Sequence, residues 1–143
     1  MTYSYKKVQK MLYDYPIKKK QIGVDEISLE EMKLYSKDIS AVRYDGVKVN
    51  NGSVRDETAE EAVKNAERER FLKDRIESNR LFIKKIDRAM EVLTKTEHEI
   101  ITLKYFHFMR DYEVYDGLCI SRANYYRIKK DAVEKIMDMV RFV

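Results

Sequence analysis

The sequence predicts an all-α protein: N-terminal helices, a long central helix and a C-terminal helical unit. Three observations carry this. Only four Gly and one Pro interrupt 143 residues, too few for a turn-rich sandwich or barrel. Apolar residues make up 44% and charged residues 38%, enough to build a core beneath a heavily solvated surface. Apolar positions recur at helical spacing along most of the chain. At this length a large barrel, a full dinucleotide-binding fold and a kinase are excluded. One cysteine, Cys119, permits no internal disulfide, and with two His it cannot complete a thiolate-rich zinc site. No apolar run reaches the length of a signal peptide core or a membrane span, so a location in a reducing cytoplasm is expected.

Three regions are expected: residues 1–57, an N-terminal helical region and connector; 58–93, the long helix; and 94–143, the C-terminal unit. Ser4 is placed to cap a first helix whose apolar face is Tyr5, Val8 and Leu12, with Met11 beside it. Pro16 is expected to end or kink that helix, since it lacks an amide and crowds the preceding turn. Six Lys against Asp14 give residues 1–24 a charge of +5, and Lys18-Lys19-Lys20 reads either as a wet helix face or as a DNA or polymerase contact. Ser28 followed by Glu31 has capping-box spacing for a short helix to about Asp38. Residues 40–57 read as a connector, with a short strand offered by Val47 and Val49 but no partner strand for it.

From Thr58 to Leu93 no Gly or Pro intervenes. Leu72, Ile76, Asn79, Ile83, Ile86, Met90 and Leu93 follow each other at 4, 3, 4, 3, 4 and 3, the rhythm of a coiled-coil seam. The seam serves either a homodimer or packing within the chain, and Asn79 would set register in the former case. Thr96 followed by Glu99 is expected to cap the next helix, which carries Ile100, Ile101 and Leu103 and ends near Met109. Asp111 is expected to cap a short helix bearing Val114, Tyr115 and Leu118. A tight turn at Cys119-Ile120 then leads to Ser121, a cap for the last helix, whose stripe is Tyr125, Ile128, Ala132 and Ile136.

A short helix, a tight turn and a Ser-capped basic helix outline a helix-turn-helix. Residues 120–130 carry four cations and no acid. Arg can bond guanine bidentately and Asn can bond adenine, so Arg122, Asn124, Tyr126 and Arg127, with Ala123 between them, are the candidate DNA-facing residues. Ser121 and the first-turn amides suit a phosphate, and Lys129 and Lys130 suit the backbone. His98 and His107 have no metal-ligand spacing and are expected on a helix surface or beside aromatics. No phosphate loop, metal cluster or catalytic constellation is read, so neither enzyme activity nor a cofactor or metal is expected.

Residues 94–136, through Thr96-Glu97-His98-Glu99-Ile100-Ile101, Leu103-Lys104-Tyr105 and Ile120-Ser121-Arg122-Ala123-Asn124-Tyr125-Tyr126-Arg127, resemble the sigma-70 region 4-type helix-turn-helix of phage late-gene regulators of the RinA and ArpU kind. Tyr13-Asp14-Tyr15-Pro16 and the NNGSVRDETAEEAV stretch extend the likeness towards the N terminus. The resemblance implies a phage or prophage transcriptional regulator acting in the bacterial cytoplasm. It implies double-stranded DNA as partner, bacterial RNA polymerase as a second, and activation of late genes. A small terminase subunit is the alternative, since such proteins also join this unit to an oligomerising helix. Tyr115 stands where the unit usually has a small inward Ala, and Cys119 where Gly is common. A left-handed backbone at Cys119 would strain it.

Overall fold

A computed structural model describes residues 4–44 and 59–141, with side chains for 4–35 and 59–141. Five α-helices and one π-helical turn account for them: α1 (Tyr5–Tyr44), α2 (Ala59–Met90), α3 (Lys95–Ile101), the π turn (Thr102–Phe106), α4 (Asp111–Gly117) and α5 (Arg122–Val140). There is no strand among the described residues, and the all-α expectation holds. The strand offered at Val47 and Val49 lies outside the described residues, as does the connector beyond Tyr44.

Ser4 caps α1 as expected, its Oγ accepting from the Lys7 amide at 3.2 Å. Pro16 does not end α1, and Ser28 does not begin a helix; α1 runs through both to Tyr44. Proline forgoes one hydrogen bond to the Leu12 carbonyl, a cost of about 3 kcal/mol in an isolated helix. Burial of Val8 and Leu12 before it, and the bond from the Tyr15 hydroxyl beside it to Asp87, anchor the preceding turns. Ser28 starts no new helix. It sits inside α1, and its hydroxyl donates back to the Val24 carbonyl at 3.0 Å.

The chain forms two compact units, Met1–Lys20 with Arg80–Val143, and Gln21–Asn79. In the first, Val8 and Leu12 of α1, Ile86, Ala89 and Met90 of α2, Ile101, Tyr105, and Ala132, Val133, Ile136 and Val140 of α5 share one core. Gln9 donates to the Tyr105 hydroxyl at 2.8 Å, so the buried phenol keeps a partner. Ile100, Val114 and Tyr125 form a second core, flanked by Leu103, Tyr115, Leu118, Ile120 and Ile128. The segment from α3 through the π turn is the wall between them: Ile101 and Tyr105 serve one core, Ile100 and Leu103 the other.

Thr94, not Thr96, caps α3. Its backbone is extended, its hydroxyl accepts from the Glu97 amide at 3.3 Å, and Glu97 Oε1 accepts from the Thr94 amide at 3.1 Å. Thr94 to Glu97 and Thr96 to Glu99 have the same spacing; Glu97 also accepts from Lys135 of α5 at 2.7 Å, which selects the earlier box. The helix ends at Ile101, earlier than the expected Met109, and widens into the π turn, where the His107 amide donates to the Thr102 carbonyl at 3.0 Å.

In the second unit Leu72, Ile76 and Asn79 of α2 are buried. Asp25 of α1, 1% exposed, is clasped by Arg75, whose Nε donates to Oδ2 at 2.7 Å and whose Nη2 donates to Oδ1 at 2.5 Å; Gln21 donates to Oδ1 at 2.8 Å. Five of the seven expected seam residues are buried within the chain. Leu72, Ile76 and Asn79 are buried in this unit, Ile86 and Met90 in the other, with Ile83 and Leu93 half-buried.

Two predictions follow from these placements. Ile86→Ala should lower unfolding free energy by about 2–5 kcal/mol in chemical denaturation, and the half-buried Ile83→Ala by clearly less; equal losses would contradict this phase of α2. The Arg75 guanidinium, aided by the Gln21 amide and against the effect of burial, holds the Asp25 carboxyl below its ordinary range. Its contribution is therefore complete above the unfolded value of about 3.9 and is lost as pH falls from there towards the folded value. Melting temperature should fall across that window, and Asp25→Asn should reduce stability at neutral pH while flattening this acid dependence.

Candidate nucleic-acid interface

The candidate surface is the exposed side of α5, and its geometry begins one helix earlier. Arg110, in extended conformation, precedes α4, so Asp111 is the first helical residue and not the expected cap. The Asp111 carboxylate turns inward. Its Oδ1 accepts from the Tyr125 hydroxyl at 2.5 Å and from Lys129 Nζ at 3.3 Å, and Lys104 Nζ of the π turn lies 3.4 Å away. Burial alone would raise the Asp111 pKa, but the Tyr125 hydroxyl and the Lys129 and Lys104 ammonium groups outweigh it and hold the carboxyl below its ordinary range. Burial, and then the Asp111 carboxylate, push the Tyr125 phenol up. At neutral pH the site is an ionised carboxylate that accepts a hydrogen bond from the neutral phenol and pairs with two ammonium groups.

Between α4 and α5 the chain reverses through Cys119, whose φ of 57° lies in the left-handed region favoured by glycine. The Ile120 amide donates to the Tyr115 carbonyl at 3.0 Å, closing the end of α4. Leu118 and Ile120 pack against the second core. The inward residue of α4 is Val114, fully buried, while Tyr115 is half-buried with its ring 5.5 Å from that of Tyr125. The bulk of Tyr115 is thus accommodated at the edge of the core.

Ser121 caps α5 as expected, its backbone extended and its Oγ accepting from the Asn124 amide at 3.3 Å. The buried face of α5 runs Tyr125, Lys129, Ala132, Val133, Ile136, Val140. Arg122, Ala123, Asn124, Tyr126, Arg127 and Lys130 are exposed, as is Ser121. The Arg122 guanidinium lies 5.8 Å from the centroid of the Tyr126 ring.

Lys129 departs from the expectation. It is 9% exposed, bonded to Asp111, and 5.1 Å from the Tyr126 ring centroid, so it is committed to the interior and is removed from the outward set. The steps from Tyr125 to Lys129, Ala132 and Ile136 are 4, 3 and 4, a regular stripe that already places this lysine inward. Asp111 and Lys104 are the site residues that sequence reasoning missed as a unit, because their partners stand 14 and 7 positions away across two turns.

The pattern of the family described as "Protein of unknown function (DUF1492)" matches residues 33–137, more than half of the chain. The chain belongs to this family. The DUF1492 match contains α2, α3, α4 and the whole exposed basic stretch of α5. No curated protein and no solved structure matches the chain. Among the described residues no group of three or more His, Cys, Asp and Glu could hold a metal ion, and no helix is long and apolar enough to cross a membrane.

The left-handed turn gives a direct check. Cys119→Gly should raise stability by up to about 1 kcal/mol, because the exposed thiol is lost without a buried contact and the backbone strain is relieved. Cys119→Val should lower the melting temperature, since a β-branched side chain is poorly tolerated at this φ.

Proposed function

We propose that this DUF1492 protein is a sequence-specific double-stranded DNA-binding regulator, and that α4, the Cys119 turn and α5 act as its helix-turn-helix. The supporting observation is the partition of α5: Tyr125 and Lys129 are drawn inward to Asp111, leaving Arg122, Asn124, Tyr126, Arg127 and Lys130 outward behind a Ser121 cap. An α-helix fits the major groove, where the first-turn Arg and Asn can read base edges while Lys130 and Ser121 hold phosphates. Tyr126 adds an exposed ring that Arg122 overlies. The likeness to regulators of the RinA and ArpU kind supports a phage or prophage role in the bacterial cytoplasm, activating late genes with RNA polymerase as second partner. In this reading the protein acts by binding and not by catalysis.

Genome-wide enrichment would supply the DNA site, and binding to it would be compared with unrelated duplex. Arg122→Ala, Asn124→Ala and Arg127→Ala should each cost about 1–3 kcal/mol on the enriched site if they make bidentate base contacts, and much less on unrelated DNA. Undiminished site preference in the triple variant would defeat the assignment of α5. Added to bacterial polymerase on the enriched site, the protein should raise transcription. Unchanged transcription with stimulated terminase-dependent packaging would transfer the protein to the small-terminase alternative.

A further inference from the structure

A second cationic surface lies within the unit formed by Met1–Lys20 and Arg80–Val143, and no residue of α5 lines it. It is a groove of about 430 Å³ between the Pro16 region of α1 and the face of α3 that continues into the π turn. Lys19 and Lys20 border it from α1, and His98 and His107 from the other side; all four are exposed. The Thr102 hydroxyl also lines it, 3.5 Å from His98 Nδ1. Tyr15 and Phe106 stack within the lining at a centroid distance of 4.3 Å and 22° between planes. Asp87 is the acid in the lining, and its Oδ1 accepts from the Tyr15 hydroxyl at 2.5 Å. Burial and the Asp87 carboxylate push the Tyr15 phenol up to about 12, so it remains a neutral donor committed to Asp87.

Two ammonium groups, two imidazoles and a hydroxyl over stacked rings present point charges and hydrogen-bond donors beside an apolar floor. A phosphodiester strand offers the matching chemistry: anionic oxygens for the donors and a sugar face for the rings. We propose that this groove binds a DNA phosphodiester segment as a sequence-independent contact separate from α5. The inference rests on the reading of α5 as a DNA-binding helix, and it gives Lys19 and Lys20 of the Lys18-Lys20 run a specific task.

His98 and His107 are the two histidines of the chain, so their ring C–H signals in proton NMR report this groove. Titration with a short duplex carrying the enriched site, and with an unrelated duplex, should move both signals. The K19E/K20E variant should abolish those shifts and reduce the slope of log affinity against log salt by about 1–2, at roughly 0.9 per phosphate contact. Its preference for the enriched site should persist. The triple α5 variant should show the reverse, losing site preference while the histidine shifts remain. Site-preferring DNA binding with unmoved histidine signals and an unchanged salt slope would overturn the groove and leave α5 intact. Shifts produced by polyglutamate but not by DNA would overturn it in favour of an acidic protein partner. Absence of any DNA binding would defeat both readings.

Discussion

The Asp111 carboxylate sets the rotation of α5. One oxygen receives the Tyr125 hydroxyl and the Lys129 ammonium, and the Lys104 ammonium of the π turn stands beside them. Tyr125 and Lys129 are one helical turn apart, so fixing both fixes the phase of the whole helix. With that phase set, Ala132, Ile136 and Val140 point into the main core, and Arg122, Tyr126 and Lys130 are left exposed beside the buried stripe. Removing the carboxylate would leave a nearly buried ammonium without its acid, a costlier outcome than the pair's own net contribution.

The same unit contains irregular backbone. Tyr105 must reach the main core while Ile100 and Leu103, a few residues earlier, face the second. A regular α-helix already divides these pairs between two faces, since Ile101 and Tyr105 are four apart and Ile100 and Leu103 three apart; the π turn widens the end of the segment, where the His107 amide donates to the Thr102 carbonyl. Phe108 then leaves in the left-handed region at φ 56°, and its ring lies nearly parallel to Tyr13, 6.0 Å between centroids. The Met109 amide donates to the Leu103 carbonyl at 3.1 Å, closing the end as glycine-terminated helices do, but with an aromatic at the strained position. Phe108 and Cys119 place the chain's two left-handed non-glycine residues, among those described, at the two ends of α4's connections.

Periodicity made the large features legible. The 4, 3, 4, 3, 4 rhythm of Leu72, Ile76, Asn79, Ile83, Ile86 and Met90 marks the inward face of α2, buried at all of them but the half-buried Ile83, and Ser121 announces the start of α5 by its own chemistry. Local signals misled where distant partners decided. Pro16 is a strong breaker in isolation, yet its neighbours are anchored by residues some seventy positions later. Thr96 with Glu99 has the spacing of a capping box, but Thr94 with Glu97 has it too, and Lys135, 38 residues beyond Glu97, favours the latter. Lys129 reads as a solvated cation because lysine usually is one, although its place in the stripe with Tyr125 and Ala132 says otherwise. The outward residues of the candidate interface were legible because a capped helix exposes its own first turn; the groove at Lys19 and Lys20 was not, because α1 and α3 are joined there only by folding.

Charged residues also do for this fold what apolar ones cannot. A chain with 38% charge has many helix faces of similar amphipathicity, so hydrophobic contact alone discriminates weakly among registers. Three inward acids supply the discrimination. Asp25 meets Arg75 across 50 residues, Glu97 meets Lys135 across 38, and Asp111 meets Lys129 across 18. Each carboxyl is held below its ordinary range despite burial, at Asp25 and Glu97 chiefly by the cation and at Asp111 by the Tyr125 hydroxyl together with Lys129 and Lys104. Displacing one helix by a single residue would leave an acid inside without its cation, a penalty larger than the stabilisation that the native pair adds. The pairs therefore act against wrong registers more than for the right one, and the register they enforce on α5 is the one that turns Arg122, Asn124 and Arg127 towards solvent.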